Sequence, residues 1–364
     1  MAGNFINKIK TFYKKHKKKI FTVFRIVVSV GLIAYLIQSQ FKDFKTILSL
    51  IKTVNVPILL AAASIHIFGV WISAVRWQLL LKTQGVRVSQ GYLSSSFLIG
   101  SFFNNILPTS IGGDIFRSVD IASKAKISIG KSASVLVIDR FAGIISAALY
   151  AVIALFLGFA TIGTTSYIIP IAIFFSVCII FGFLLLNPSI LKLNKIVFKI
   201  RFLSKIREKI MEVYHTFLSF KKYKLALAEA LLCSLALQFG VILHYWLAAR
   251  SLGINLSLTS FFFIVPVVTI IAMLPITIGG TGLRENVLVF FMVALGAQSE
   301  KSAMTSLLLF AMLLILGIIG GIIYAVRPFI LRQSRPGQPG QEDPGQNLEG
   351  STEGIVSQDN KNGS

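Results

Sequence analysis

The sequence predicts an all-α polytopic membrane protein of about six full spans plus two re-entrant helical hairpins, in two inverted repeats. Three observations carry this. The chain is 55% hydrophobic and only 14% charged, with a mean hydropathy of +0.78. Several apolar runs reach the roughly 18–20 residues a bilayer requires. One motif of proline, paired glycine and arginine occurs twice in the same register, "LPTSIGGDIFR" from Leu107 to Arg117 and "LPITIGGTGLR" from Leu274 to Arg284.

The spans fall at about 20–38, 56–81, 132–158, 165–187, 224–249 and 302–326. Two shorter apolar pieces, about 91–106 and 258–273, each run straight into one copy of the motif. Charge decides whether they cross. With "KKHKKK" holding the N-terminus inside, a re-entrant reading leaves Lys82, Arg87, Lys124, Lys126, Lys131, the Lys192–Lys224 segment and Arg327–Arg335 on the cytoplasmic side. Two full crossings would put the Lys192–Lys224 segment outside, against the positive-inside bias. The similarity extends beyond the motif, since "KTQGVRVS" at Lys82 matches "RSLGINLS" at Arg250. Each repeat is therefore a span, a hairpin and a span, and the spans at 56–81 and 224–249 run in opposite directions.

The expected layout is a basic cytoplasmic N-terminus (1–19), a transmembrane domain (20–327) and a disordered tail (328–364). Within the domain, repeat one covers about 56–187 and repeat two about 224–326. Between them, Ile196, Ile200, Leu203, Ile206, Ile210, Tyr214 and Phe217 recur at helical spacing among Lys and Arg. They predict a basic amphipathic helix over about 192–222, lying on an anionic leaflet. The net charge of +22 sits beside apolar spans, which points to anionic lipid and not to nucleic acid. Cys178 and Cys233 form no CxxC, and His16, His66, His215 and His244 have no ligand spacing. No metal and no cofactor are expected.

Pro108, Gly112 and Gly113, and again Pro275, Gly279 and Gly280, break a helix at membrane depth, where the freed backbone must face protein or a polar cavity. A half-helix starting there presents unsatisfied N–H groups and the positive end of its dipole to an anion. Arg117 and Arg284 follow one turn later and can grip a phosphate. Ser110 and Thr277 add hydroxyls, and Asn104 and Asn105 add polarity to the first hairpin. The arginines admit a second reading, in which each pairs with a local acid, Asp114 or Glu285, and holds its hairpin together. Asp139 and Arg140 lie deep in the next span, as a packing ion pair or a pathway lining. Arg76 is expected to snorkel to the interface, Trp71, Trp77 and Trp246 to anchor there, and His66 and His244 to be satisfied core groups.

"LPTSIGGDIFRSVDIASK", "VLVIDRFAG" and "LPITIGGTGLRENVLVFFMVALG" resemble the lysylphosphatidylglycerol synthase transmembrane-region family, which includes the flippase domain of the bacterial multiple peptide resistance factor. The resemblance covers about residues 15–330, although "LPTSIGGD" stands where the family has a more glycine-rich turn. It marks Pro108, Gly112, Gly113, Asp114 and Arg117 as one hairpin, then Asp139 and Arg140, then Pro275, Gly279, Gly280, Arg284 and Glu285 as the other. Full-length members flip aminoacyl-phosphatidylglycerol made by their cytosolic domain. No stretch of enzyme size outside the membrane is read here, so the resemblance implies a translocator of an anionic or phosphate-bearing lipid, aminoacylated or polyprenyl-linked, in the cytoplasmic membrane. A membrane part of a lipid-modifying system, or a scaffold for a separate lipid or glycan synthase, is the alternative.

Overall fold

The computed structural model describes residues 23–24, 26–41, 43–107, 112–158, 219–272 and 276–333. The expected span at 165–187, the amphipathic helix up to 218, the tail beyond 333 and the N-terminal basic run lie outside them, as do Pro108, Ser110 and Pro275. Phe220–Lys222 form a 3-10 turn, and the start of the expected tail continues a helix to Gln333. Every regular element among the described residues is helical. In order they are α1 (Ile26–Gln40), α2 (Phe44–Lys52), α3 (Val56–Thr83), α4 (Gln90–Ile106), α5 (Gly112–Ala125), α6 (Ile129–Gly158), α7 (Lys224–Ser251), α8 (Leu258–Ala272), α9 (Leu283–Ala294) and α10 (Ser299–Gln333). The chain forms a compact unit through Ile323 and a second from Tyr324, of which the described part is the end of α10.

Four helices, α3, α6, α7 and α10, are long and apolar enough to cross a membrane. Their exposed faces carry Leu60, Ile67, Phe68, Leu232, Ile315 and Ile318. In water such a surface would drive association; against lipid it is the expected coat. The helices α4 and α8 have 17 and 15 residues, short of a full crossing.

Two halves of the chain go through the same sequence of elements. The helix α3 ends with Gly85 at φ 75°, and α7 ends with Gly253 at φ 71°. The closing hydrogen bonds are equivalent: Val86 N–H donates to Leu81 O at 3.1 Å, and Ile254 N–H to Ala249 O at 3.2 Å. After α5, Lys126 adopts φ 53° and Ile127 N–H donates to Ala122 O; after α9, Gly296 adopts φ 91° and Ala297 N–H donates to Met292 O. One apolar core forms around Trp77, Leu80, Leu93, Ile121 and Ile138 and also takes in Ala230 of α7. Another forms around Ile242, Phe261, Ile264, Leu288 and Met292 and also takes in Ala154 of α6, so the halves share their packing.

Contacts along α3 and α7 run in opposite order: Ala62 meets His244, Ile65 meets Gly240, Gly69 meets Leu237 and Arg76 meets Ser234. The two helices are therefore antiparallel. Glycines let the backbones approach, as they must where lipid is as apolar as the packed side chains. Gly317, Gly320 and Gly321 do the same for α10, since a Cβ at any of them would run into Asn105, Leu98 or Phe102 of α4.

Candidate functional site

Each motif copy joins two antiparallel helical arms. In the first, Tyr92 Oη donates to Asp120 at 2.9 Å, Phe103 stacks on Phe116, and Gly113 N–H donates to Asn104 Oδ1 at 2.8 Å. Gly113 is required by this approach, because a Cβ there would overlap Gly100 O and the Asn104 amide. In the second, Phe263 packs on Phe291 and Gly280 on Ala272. Gly279, Gly280 and Gly282 turn the chain at φ 57°, 81° and 83°, the left-handed region open to glycine. Ser29 Oγ of α1 accepts from Ile278 N–H at 2.9 Å, and Asn286 Nδ2 donates to Leu32 O at 3.0 Å, so α1 pins this tip.

Ionic contacts thread the first half. Arg76 Nε meets Asp139 Oδ1 at 2.7 Å, Asp139 Oδ2 lies 3.8 Å from Arg117 Nη2, and Arg117 Nη1 lies 3.4 Å from Asp114 Oδ1. Asp114 Oδ2 then pairs with Arg140 Nε. The result is a chain of alternating sign, three arginines against two aspartates, with an excess positive charge. Arg117 is its middle link. It is 6% exposed, and its guanidinium lies over the ring of Trp77, 4.1 Å from the ring centre, and over that of Phe97, 4.6 Å away. Arg140 is its open end, with a side chain 43% exposed. In the second half, Arg284 Nε donates to Glu285 Oε1 at 2.9 Å, while Glu285 Oε2 accepts from Gly282 N–H at 2.6 Å and caps α9.

Arg140 and Arg284 line one cavity of about 330 Å³, with Asn104 and Asn105 from the first hairpin and Gly279 from the second. Beside it lies a second cavity of about 410 Å³ between α3 and α7, lined by Ile65, Leu237, Val241 and Leu243 with few polar groups. His66, Val70 and Phe97 belong to both walls. Phe68 and Phe239, 56% and 41% exposed, open the apolar cavity onto the flank of the bundle.

The structure thus brings Arg284, Asn104, Asn105 and Arg140 together and leaves two predicted contributors elsewhere. Arg117 is not among the cavity's lining residues; its guanidinium is buried against Trp77 and Phe97 beside Asp114 and Asp139, with Nε and Nη2 left without a hydrogen bond among the described residues. Thr277 is fully buried and also off the cavity wall. Asn104 and Asn105 are on the wall but already engaged, the first with Gly113 and the second through Nδ2 with Leu313 O. Asp139 and Arg140 are not a pair with each other; each serves a different partner. Arg76 does not snorkel: it is 8% exposed and bonded to Asp139 and Ser234. Trp77, fully buried on Arg117, is no interface anchor, whereas Trp71 is half exposed. Sequence reasoning missed the contact of His66 with His244, 178 positions apart, which no local spacing signals.

A lipid-facing helical bundle with two broken-helix hairpins around a charged cavity defines an integral membrane protein organised about a polar site. The chain belongs to the lysylphosphatidylglycerol synthase TM region family, whose model it matches over residues 22–321. It is 25% identical over 306 residues to the UPF0104 membrane protein PH1989 of Pyrococcus horikoshii, covering 78% of this chain and 90% of that one. It is 24% identical over 308 residues to the UPF0104 membrane protein MJ1595 of Methanocaldococcus jannaschii, covering 80% and 89%.

Proposed function

We propose that this protein is a lipid translocator that carries an anionic, phosphate-bearing lipid between leaflets, and not an enzyme. The observation that carries the reading is the pairing of the two cavities. A polar compartment bearing Arg140 and Arg284 adjoins an apolar one across His66, Val70 and Phe97, which suits an amphiphile with a charged head and a hydrocarbon tail. A soluble anion would have no use for the second compartment. The family description supports a lipid as cargo; aminoacyl-phosphatidylglycerol and polyprenyl-phosphate lipids both have the required chemistry.

The architecture we favour is six spans and two re-entrant hairpins in two inverted repeats, with both termini on the cytoplasmic side of the cytoplasmic membrane. The antiparallel packing of α3 and α7 and the matched turns that end them support it. Sites built from broken helices at corresponding points of two inverted repeats are a recurrent transporter design. The domain limits proposed are those of the sequence reading, except that α10 continues to Gln333.

The test is leaflet exchange of labelled anionic lipids in proteoliposomes. The expected result is exchange by the wild type and its loss in the Arg140→Ala/Arg284→Ala double variant. Full exchange by that variant, or none by the wild type with any phosphate-bearing lipid, would overturn the reading. Labelling of Lys205→Cys from outside intact cells would overturn the topology independently.

A further inference from the structure

Where the two cavities meet, His66 Nδ1 lies 3.2 Å from His244 Nε2, and His244 Nδ1 lies 2.8 Å from the Ala62 carbonyl. A carbonyl only accepts, so His244 carries its proton on Nδ1. Its neutral ring then has a bare Nε2, which accepts from His66 Nδ1–H. A neutral His66 in turn has a bare Nε2. That nitrogen has no hydrogen-bond partner among the described residues, and it is not sealed in as Arg117 Nε is. His66 belongs to the walls of both cavities. One proton can therefore arrive at His66 Nε2 from the cavity without disturbing either hydrogen bond of the pair.

The surroundings determine when it arrives. From α7 the pair meets Tyr245, from α6 Arg140, and from α9 Arg284 with Glu285 behind it. The cavity walls from α4 and α8 supply only the neutral Ser101, Asn104, Asn105 and Thr269. An anion between Arg140, Arg284 and His66 would place a negative charge beside the pair, which favours a further proton there.

We propose that His66 and His244 form a proton-binding pair coupled to the anion site, so that the lipid headgroup and one proton occupy the cavity together. The inference rests on the anion reading of that cavity. Coupling is reciprocal: an anion raises the proton affinity of the pair, and a proton raises the anion affinity by the same factor. Between the midpoints of the empty and the loaded pair, the dissociation constant rises about tenfold per pH unit.

The test uses the full chain in phosphatidylcholine nanodiscs, titrated with short-chain phosphatidylglycerol, whose phosphodiester keeps one negative charge throughout. The wild type is expected to bind more weakly as pH rises. His66→Asn, which keeps a donor toward His244 and removes the titrating nitrogen, is expected to bind without that slope. In parallel, the four histidines of the wild type are labelled with ¹⁵N, and the His66 Nε2 midpoint is expected to move to higher pH when the lipid is added. Lipid binding with the same slope in His66→Asn, or a His66 midpoint that lipid leaves unmoved, overturns the proton coupling and leaves the anion site standing. No saturable binding at any pH overturns both.

Discussion

Asp139→Asn keeps the shape of the side chain and removes the negative charge lying between Arg76 and Arg117. The carboxylate is 5% exposed, and one of its oxygens meets Arg76 Nε at 2.7 Å. The other faces Arg117 Nη2 at 3.8 Å. Water cannot replace it, so the substitution leaves two guanidinium groups facing an amide in a buried site. Removing one partner of a buried ion pair costs about 3–5 kcal/mol, mostly the stranded charge. That corresponds to a fall in the unfolding midpoint on the order of 5–10 °C. The double variant Arg76→Met/Asp139→Leu removes the closer pair and is expected to recover the part of the loss due to Arg76, since well-packed apolar replacements of buried pairs are often neutral, while Arg117 keeps Asp114. The assay is thermal unfolding in mild detergent, followed by tryptophan fluorescence because Trp77 stacks on Arg117. A midpoint for Asp139→Asn within a degree of the wild type, or a double variant no better than the single one, would refute the claim that Asp139 offsets the buried charge of its arginine partners.

Gly113→Ala pushes a Cβ into Gly100 O and Asn104 and must part the arms of the first hairpin; a stability loss of about 1–3 kcal/mol is expected by equilibrium unfolding, together with loss of leaflet exchange. Gly282→Ala puts a Cβ at φ 83° against Leu32 and Ser29, and is expected to cost about as much and to expose Ile278 N–H to faster hydrogen exchange. Asp114→Asn frees Arg140 from its acid, so short-chain phosphatidylglycerol should bind about two- to fivefold more tightly, measured by calorimetry in nanodiscs. Glu285→Gln, by contrast, weakens the cap on Gly282 N–H as well as the pair with Arg284, and is expected to lower the unfolding midpoint without a matching gain in affinity.

The helical class and four of the expected spans were legible because they depend on local patterns. Apolar length reports a span, and Pro with Gly-Gly reports a break, whatever the neighbours are. The α3 and α7 ends were legible for the same reason, since Gly85 and Gly253 close equivalent turns. The roles of individual charges were not. Arg76, Asp139 and Arg117 become one chain only when α3, α5 and α6 pack, and no spacing within any of them announces it. The motif marked Arg117 and Arg284 as equals, but the aromatic pair Trp77 and Phe97 belongs to the first half and draws Arg117 away from the cavity. His66 and His244 were hidden by the same distance in sequence.

The two halves therefore reach a similar outcome by different means. In the second, the motif arginine itself stands on the cavity wall, paired to the acid next to it on the same helix. In the first, the motif arginine is buried, and the cavity cation is Arg140 on the following span, paired to Asp114 on the hairpin. The consequence is mechanical. Arg284 and Glu285 move as one body, so displacing α9 leaves the charge of that pair unchanged. Arg140 and Asp114 sit on separate helices, α6 and α5, so displacing the first hairpin separates them and frees a cation toward the cavity. The contacts of α1 with Ile278 and Asn286 fix the second tip further. On the proposed reading of the cavity as an anion site, a displacement of the first hairpin would therefore unpair a cavity cation, whereas one of the second would carry Arg284 and its acid together.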